Sequence, residues 1–282
     1  MVSLEELVER LKTLENISND EWLATLDQRK LKELEFHDIH RDKSRTEALD
    51  KDTYEKFYGN TKYYQATGLS RAYVENWIDT QARDKIFLDY ACGNGSYAIR
   101  AAKAGAKQSI GIDISSVSVA NARKSAAQEN LSSNTFFVQA DCENTGLPDA
   151  SIDVVICSGM LHHLDLSYAF PELRRILAPG GRILGVEALD YNPLIKLYRY
   201  LTPEMRTEWE KAHILDLSDI RFAERFFDLG EIKYWHLLSI VAPKISLSLL
   251  PFLNGVDRIL TQVPFLQLMA WIFTFELIKP EK

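Results

Sequence analysis

A glycine-containing turn follows the first strand-like segment of the chain, and a helix-like segment begins directly after it. The turn reads Asp89-Tyr90-Ala91-Cys92-Gly93-Asn94-Gly95. Glycines at such a place let the backbone change direction sharply and let a ligand approach the free N–H groups at the helix start. A Gly-x-Gly pair is also compatible with an ordinary strand-to-helix turn, so the neighbouring residues decide between binding and structure.

Acidic residues stand at the carboxyl ends of three consecutive strand-like segments. Asp113 comes 20 residues after Gly93, an offset at which a carboxylate can accept both hydroxyls of a ribose. Asp141 ends the third segment, where a side chain faces the adenine end of a nucleoside, and Asp89 could receive the cationic amino group of an amino-acid moiety. Three acids suit a cationic nucleoside. They suit a pyrophosphate poorly, because the turn has no basic residue.

Strand-like and helix-like segments alternate from Lys85 onward, which is typical of a parallel sheet with helices on both faces. We therefore predict an α/β fold: a Rossmann-like, doubly wound sheet, mostly parallel, with an antiparallel last strand. The predicted strands are KIFLDY, QSIGIDI, NTFFVQA, IDVVICS, RILGVEA, EIKYWHLLS and AWIFTFELI. The predicted helices between them cover Ser96–Ala104, Ser116–Asn130 and Ser167–Leu177.

Helical patterns also precede this alternation. Ser3 and Glu6 have the spacing of a capping box, and apolar residues then recur at helical period. We expect additional helices to surround the core as a cap, a lid and an insert. The predicted division is an N-terminal helical cap over residues 1–84 and a ligand-binding Rossmann-like domain over 85–282, with a lid at 190–228 and an apolar insert at 240–269.

The composition excludes several classes of protein. The formal net charge is −7, and no basic stripe is visible, so we expect no nucleic-acid partner. Cys92, Cys142 and Cys157 are few, odd in number and not in CxxC spacing, which argues against a disulfide framework and a zinc site. The N-terminus lacks signal-peptide features, and the apolar stretch Ile259–Phe275 falls short of a spanning helix. The expected location is the cytoplasm.

Residues 87–186 resemble the core of class I S-adenosylmethionine (SAM)-dependent methyltransferases, and most of all the broad group that includes the ubiquinone and menaquinone biosynthesis enzymes. Four motifs carry the resemblance in order: LDYACGNGSYA, IGIDIS, ADCENTGLPDASIDVVICSGMLHHL and LRRILAPGGRIL. One departure is Ala91, where the family usually has its first glycine. The resemblance implies SAM as the cofactor.

The resemblance also assigns cofactor contacts by position. Asp113 would hold the ribose, Asp141 with Cys142 would lie at the adenine, and Ser158 would line the methionine end. His163 belongs to a motif associated with the group. The residues expected to bind the cofactor are Asp89, Ala91, Gly93, Gly95, Asp113, Ile114, Asp141, Cys142, Ser158 and His163.

A general base is needed only if the methyl acceptor arrives protonated. Glu187 and Tyr191 lie at and just after the end of the fifth predicted strand, and His213 has the most suitable ordinary pKa. These three are the catalytic candidates. His162 and His163 are adjacent and are expected to point in different directions, so we predict no metal site and assign them to packing or to the cofactor pocket.

The sequence thus predicts transfer of a methyl group to an oxygen or nitrogen, and less readily to a carbon, of a small hydrophobic or specialised metabolite. A catalytically silent partner protein with this fold is an alternative. A NAD-dependent oxidoreductase is another, although the third glycine position of its motif is Ala98. The apolar insert has three interpretations: a pocket for a lipid, isoprenoid or aromatic acceptor; a dimer or membrane-surface patch; or helices packed on the sheet.

Overall fold

A seven-stranded sheet forms the centre of the molecule in the computed structural model, which describes residues 2–41 and 47–281. The strands are β1 (Ile86–Tyr90), β2 (Gln108–Asp113), β3 (Thr135–Gln139), β4 (Ile152–Ser158), β5 (Leu177–Ala188), β6 (Asp228–Trp235) and β7 (Ile272–Ile278). Their order across the sheet is β3-β2-β1-β4-β5-β7-β6. All seven correspond to strands predicted from the sequence.

Six strands run in the same direction, and β7 alone runs in the opposite one. β1 pairs in parallel with β2 and β4, and the parallel pairing extends to β3 on one side and β5 on the other. β7 runs antiparallel to both β5 and β6, so the predicted mostly parallel sheet with an antiparallel last strand is confirmed. The chain order reverses between β1 and β4, which is where open α/β sheets bind ligands.

Helices surround the sheet and also precede it. They are α1 (Leu4–Glu15), α2 (Asn19–Leu23), α3 (Gln28–Arg41), α4 (Lys51–Tyr58), α5 (Gly68–Gln81), α6 (Ser96–Lys103), α7 (Ser116–Gln128), α8 (Leu166–Ile176), α9 (Pro193–Leu201), α10 (Glu208–Ala212), α11 (Leu217–Ala223), α12 (Ala242–Ile245) and α13 (Leu250–Leu260). Among the described residues, no helix has the length and hydropathy that crossing a bilayer requires.

Alternate residues of the central strands enter two different cores. Phe87 and Val154 pack in one buried cluster with Trp77 of α5. Their chain neighbours Leu88 and Val155 point to the opposite face and join a larger cluster. This period of two is the direct consequence of the pleat, and it places helices on both faces of the sheet.

The N-terminal helices cover the carboxyl ends of the strands. Leu7 and Leu11 of α1 are fully buried in the larger cluster, and the capping box of Ser3 and Glu6 is present. α3 then crosses the edge of the sheet where β1, β2 and β3 end, and it is fastened there by ion pairs. The region predicted as a cap therefore contains one helix that is part of the central core.

Candidate active site

The turn after β1 adopts backbone conformations that constrain its residue types. Ala91, Gly93 and Gly95 all have left-handed φ values, of 59°, 51° and 77°. A β-carbon on Gly95 would lie 2.6 Å from the ring of Phe137. An alanine in the left-handed region costs about 1–2 kcal/mol, which explains why glycine usually occupies the position of Ala91 in the sequences that the chain resembles.

Asp113 stabilises this turn directly. One carboxylate oxygen accepts the N–H of Gly93 at 2.8 Å and the other accepts the N–H of Ser115 at 2.9 Å. Burial raises the pKa of Asp113 even though these two hydrogen bonds favour the carboxylate. The offset of 20 residues noted in the sequence thus corresponds to a real contact between β2 and the turn. A carboxylate has enough lone pairs to accept further hydrogen bonds from a ligand.

Asp89 is buried at the end of β1. Its Oδ2 accepts the N–H of Ala98 at 3.1 Å, near the start of α6. Burial raises the pKa of Asp89 to about 7, and the negative charge of Asp113 acts in the same direction. A cationic group placed beside Asp89 would favour its ionised form.

Asp141 pairs with a cation that α3 supplies. Nζ of Lys30 lies 2.6 Å from Oδ2 of Asp141 and 3.0 Å from Oε2 of Glu143. Arg29 donates to the other oxygen of Glu143 at 2.5 Å. The acidic end of the site is therefore closed by two basic residues of the N-terminal region.

Three cavities meet above the carboxyl ends of the strands. The inner cleft, of about 90 Å³, lies under α3, and seven of the ten predicted cofactor residues line it. These seven are Ala91, Asp113, Ile114, Asp141, Cys142, Ser158 and His163. The turn pocket, of about 430 Å³, is lined by Asp89 and Gly93 among others. Gly95 lines neither of these two cavities and serves the turn itself.

The aromatic pocket, of about 460 Å³, is the third cavity. Tyr64 of the N-terminal region and Trp271 at the start of β7 form part of its wall, together with His162 and Glu187. The side chains of Arg41 and Ser158 line all three cavities. The aromatic pocket therefore opens onto the same point as the inner cleft and the turn pocket.

A histidine–carboxylate pair stands at the edge of the aromatic pocket. Nδ1 of His162 lies 2.6 Å from Oε2 of Glu187, whose side chain is fully buried at the end of β5. Oε1 of the same carboxylate accepts the N–H groups of Met160 and Leu161, both at 2.8 Å. Burial is the largest single effect and lowers the pKa of His162, but the charge of Glu187 and its hydrogen bond together outweigh burial, and the net shift of the pKa is upward. The pair therefore favours the protonated form of the His162 ring.

The neighbouring histidine lies beside His162, and the expectation that the two would diverge is wrong. Their ring centroids are 4.3 Å apart at an interplanar angle of 39°, because a short 3₁₀ turn carries both. Nδ1 of His163 bonds to Oε2 of Glu33 at 2.9 Å. His163 lines both the inner cleft and the aromatic pocket. It therefore ties α3 to the centre of the site.

Two of the three catalytic candidates lie elsewhere. The hydroxyl of Tyr191 accepts the N–H of Leu217 at 3.2 Å and packs against the core. The ring of His213 is exposed and stacks on Trp209 with centroids 3.7 Å apart. Neither residue lines the aromatic pocket. Of the predicted catalytic residues, only Glu187 is at the site.

Sequence reasoning missed His162 and the basic residues of α3. A usable signal was present for His162: β4 and β5 are sequential strands that pair in parallel, with Ser158 opposite Val186. Residues that follow β4 must therefore lie beside Glu187. No comparable signal exists for Lys30, which is 111 residues from Asp141 and belongs to a segment without a recognisable motif.

Comparison with known proteins places the central region in a family. Residues 88–185 match the family model described as a methyltransferase domain. Over 107 residues the chain is 38% identical to the 27-O-demethylrifamycin SV methyltransferase of Amycolatopsis mediterranei, a match that covers 38% of this chain and 39% of that protein. Over 126 residues it is 32% identical to the ribosomal protein L11 methyltransferase of Paraburkholderia phymatum, covering 44% and 39%. The matched region thus spans about two fifths of the length of these relatives.

The fold extends beyond that region. The crystal structure of geranyl diphosphate C-methyltransferase from Streptomyces coelicolor A3(2), in complex with Mg²⁺, geranyl diphosphate and S-adenosyl-L-homocysteine, superposes with a TM-score of 0.58. The superposition covers 91% of this chain and 99% of that chain, at 9% sequence identity. The fold is therefore shared, whereas the identity is too low to transfer residue roles.

Proposed function

Because this chain contains a class I methyltransferase domain of the Rossmann-like type, we propose that it is an enzyme that transfers a methyl group from SAM to an oxygen or nitrogen of a small molecule with an aromatic or otherwise apolar body. The supporting observation is the junction of the three cavities at Arg41 and Ser158. A donor that lies across the inner cleft and the turn pocket would meet an acceptor in the aromatic pocket at that point.

The residues present fit SAM. The left-handed turn at Gly93 leaves no room for a β-carbon, which would lie 2.9 Å from Nη2 of Arg41. Asp113 would accept the ribose hydroxyls and Asp89 the ammonium group, while Arg41 would face the carboxylate. The thiol of Cys142 stays neutral, since burial raises its pKa well above the ordinary value, so it offers a packing contact and no charge. SAM supplies an electrophilic methyl group on a sulfonium.

His162 is the proposed general base. With Nδ1 bonded to Glu187, the ring presents Nε2 as the nitrogen that can accept a proton from an acceptor hydroxyl or ammonium. Glu187 favours the protonated ring that forms as the proton moves. This division of roles replaces His213 and Tyr191 and keeps Glu187 as a positioning residue.

The N-terminal region closes the site in this proposal. Lys30 and Arg29 pair with acids beside the inner cleft, and Tyr64 walls the aromatic pocket. The volume of the inner cleft is smaller than the ~300 Å³ or more that is typical of small-molecule sites. In this proposal α3 therefore shifts outward when a nucleoside enters. Closure afterwards excludes water and aligns the acceptor.

Net charge and cysteine state support the remaining assignments. The net charge of −7 makes nucleic acid an unfavourable partner. The three cysteines are all free and buried, as suits the reducing cytoplasm. The described residues require no metal for the proton transfer assigned to His162.

The test is a binding and turnover experiment. Calorimetry should show SAM binding and no binding of NAD, which is the matched control for a dinucleotide site. Incubation with methyl-labelled SAM and a panel of phenols, aliphatic alcohols, amines and carbon nucleophiles should then label oxygen or nitrogen acceptors. Binding of NAD without SAM would identify an oxidoreductase. SAM binding with no label transferred to any acceptor in a panel that includes cell extract would favour a silent partner protein.

A further inference from the structure

Exposed apolar side chains are concentrated on two surface segments, α9 and residues 241–266 of the apolar insert. Of the 19 large hydrophobic residues that are exposed in the described part of the chain, four lie on α9 and nine lie in 241–266. The most exposed are Phe265 (82%), Tyr200 (80%), Leu194 (76%) and Phe252 (70%). We call these two segments together the apolar surface. Scattered exposed apolar residues need no explanation, but such a concentration marks a binding face.

The two segments adjoin each other. Nδ2 of Asn192, the residue that caps α9, donates to the carbonyl of Met269 at 2.7 Å. Tyr63 contacts both segments: its ring centroid lies 5.6 Å from that of Tyr198 on α9 and 5.8 Å from Nζ of Lys244 in the insert. The two segments therefore lie next to each other.

The charge of the apolar surface is opposite to that of the whole chain. Its exposed charged side chains are Lys196, Lys244 and Arg258. The one acid within the two segments is Asp257, which is buried and accepts the N–H groups of Leu238 and Ser239. The chain as a whole carries a net charge of −7. Lys196 pairs with Asp190, just before α9, at 2.8 Å. Lys244 and Arg258 are exposed cations set among apolar side chains, and neither segment has an exposed acid. Such an arrangement is complementary to an anionic surface with an apolar interior.

One aromatic residue of the apolar surface has a strained backbone. Phe265 has φ = 70°, a region that side chains with a β-carbon rarely adopt, and its ring is the most exposed of the large apolar residues. The backbone thus presents this phenyl ring to solvent in spite of an unfavourable φ. Exposed aromatic rings of this kind are suited to the interface between lipid headgroups and acyl chains.

We propose that the apolar surface docks the protein onto an anionic lipid bilayer. Tyr200, Phe252 and Phe265 would enter the headgroup region, and Lys244 and Arg258 would contact lipid phosphates. A second copy of the chain fits less well, because a twofold interface through this surface would bring Lys244 and Arg258 of the two copies together, and neither segment has an exposed acid to pair with them. This inference does not depend on the proposed methyl transfer.

Vesicle sedimentation tests the proposal. Full-length protein should sediment with vesicles of equal parts phosphatidylcholine and phosphatidylglycerol, and much less with phosphatidylcholine alone. High salt should weaken the binding, since the electrostatic part of the attraction is screened. The combined substitution Tyr200→Ser, Phe252→Ser and Phe265→Ser should abolish sedimentation. The control variant Tyr168→Ser with Leu31→Ser changes two exposed apolar residues outside the apolar surface. This variant should sediment with the vesicles as the wild-type protein does.

A second pair of variants tests how much the positive charges of the apolar surface contribute to vesicle binding. Lys244→Glu with Arg258→Glu should lower vesicle binding about tenfold or more, whereas Lys85→Glu with Lys107→Glu, exposed lysines at the other end of the strands, should lower it far less. Thermal unfolding of each variant confirms that the fold is retained. Absence of sedimentation with both vesicle types would overturn the proposal. A concentration-dependent dimer that the triple serine variant alone dissociates would also overturn the proposal. Such a result would assign the apolar surface to contact with a second copy of the chain.

Discussion

Nδ1 of His162 lies 2.6 Å from Oε2 of Glu187, and Oε1 of the same carboxylate accepts two backbone N–H groups of the turn that carries the histidine. One buried side chain thus orients the imidazole and also holds the backbone from which it projects. Both residues line the aromatic pocket. The proton transfer proposed for this site depends on the pair.

Replacing Glu187 should impair turnover and spare cofactor binding. Glu187→Gln is expected to lower kcat by about 100-fold or more, because an amide cannot stabilise the protonated ring. SAM affinity should stay unchanged, since Glu187 lines the aromatic pocket and not the inner cleft or the turn pocket. Steady-state kinetics with calorimetry provide the measurement, and Glu208→Gln, an exposed position, is the control.

A folding defect in that variant would be ambiguous, so His162→Gln is a second probe. It leaves the bonds from Met160 and Leu161 to Glu187 in place and should lose activity to a similar degree. Wild-type turnover in a folded His162→Gln protein would remove the histidine from the mechanism.

The activity should rise with pH. His162 accepts a proton only when it is neutral, and its pKa is shifted upward from the ordinary 6.5 because Glu187 stabilises the charged ring. kcat/KM is therefore expected to increase through an inflection above that value. In Glu187→Gln the inflection should move to lower pH, because the negative charge is gone while the burial remains. An inflection that stays in place would show that another group titrates.

Binding of SAM should release protons near neutral pH. Burial raises the pKa of Asp89 to about 7, so roughly half of the free protein is protonated at this position at about pH 7. An ammonium group beside the carboxylate lowers that pKa and expels the proton. Calorimetry in two buffers with different ionisation heats measures the release.

The same experiment with 5′-methylthioadenosine is the matched control, because this ligand lacks the amino-acid portion. Binding of 5′-methylthioadenosine should release far fewer protons than binding of SAM. Equal proton release from the two ligands would mean that the ammonium group does not lie at Asp89.

The ribose contact is best tested with Asp113→Asn. SAM affinity is expected to fall by about tenfold to a hundredfold, since a charge-assisted hydrogen bond contributes about 1.5–3 kcal/mol. Alanine is the poorer choice, because it would leave the buried N–H groups of both Gly93 and Ser115 unpaired, whereas asparagine keeps one acceptor oxygen for one of them. Asp228→Asn, at an exposed position, should have no effect. Unchanged affinity in folded Asp113→Asn would place the ribose elsewhere.

Removal of divalent metals should not affect turnover. His162, His163 and Glu210 each offer one ligand atom within 4.8 Å of the others, but the guanidinium of Arg206 already lies 3.4 Å from Glu210. Activity after dialysis against EDTA is expected to equal that of the untreated enzyme, and excess Zn²⁺ should inhibit by occupying the nitrogen of His162. Loss of activity with EDTA and recovery with a metal would contradict this.

Local patterns in the sequence determined the scaffold and the cofactor side of the site. Strand and helix alternation predicted the sheet, because each buried parallel strand reads as an apolar run whatever surrounds it. Asp89, Asp113 and Asp141 could be placed together because the carboxyl ends of neighbouring parallel strands meet at one edge. The glycine turn was recognisable because its left-handed backbone restricts the residue types that can occupy it.

Only the tertiary structure decided which groups close the site and hold the proton. Lys30 meets Asp141 across 111 residues and His162 meets Glu187 across 25, through turns and helices whose orientation no periodic pattern specifies. His213 had the suitable ordinary pKa, yet it stacks on Trp209 at an exposed helix end. The direction of a side chain after a strand is set by packing against distant elements, and that packing energy is distributed over many residues with no local signature.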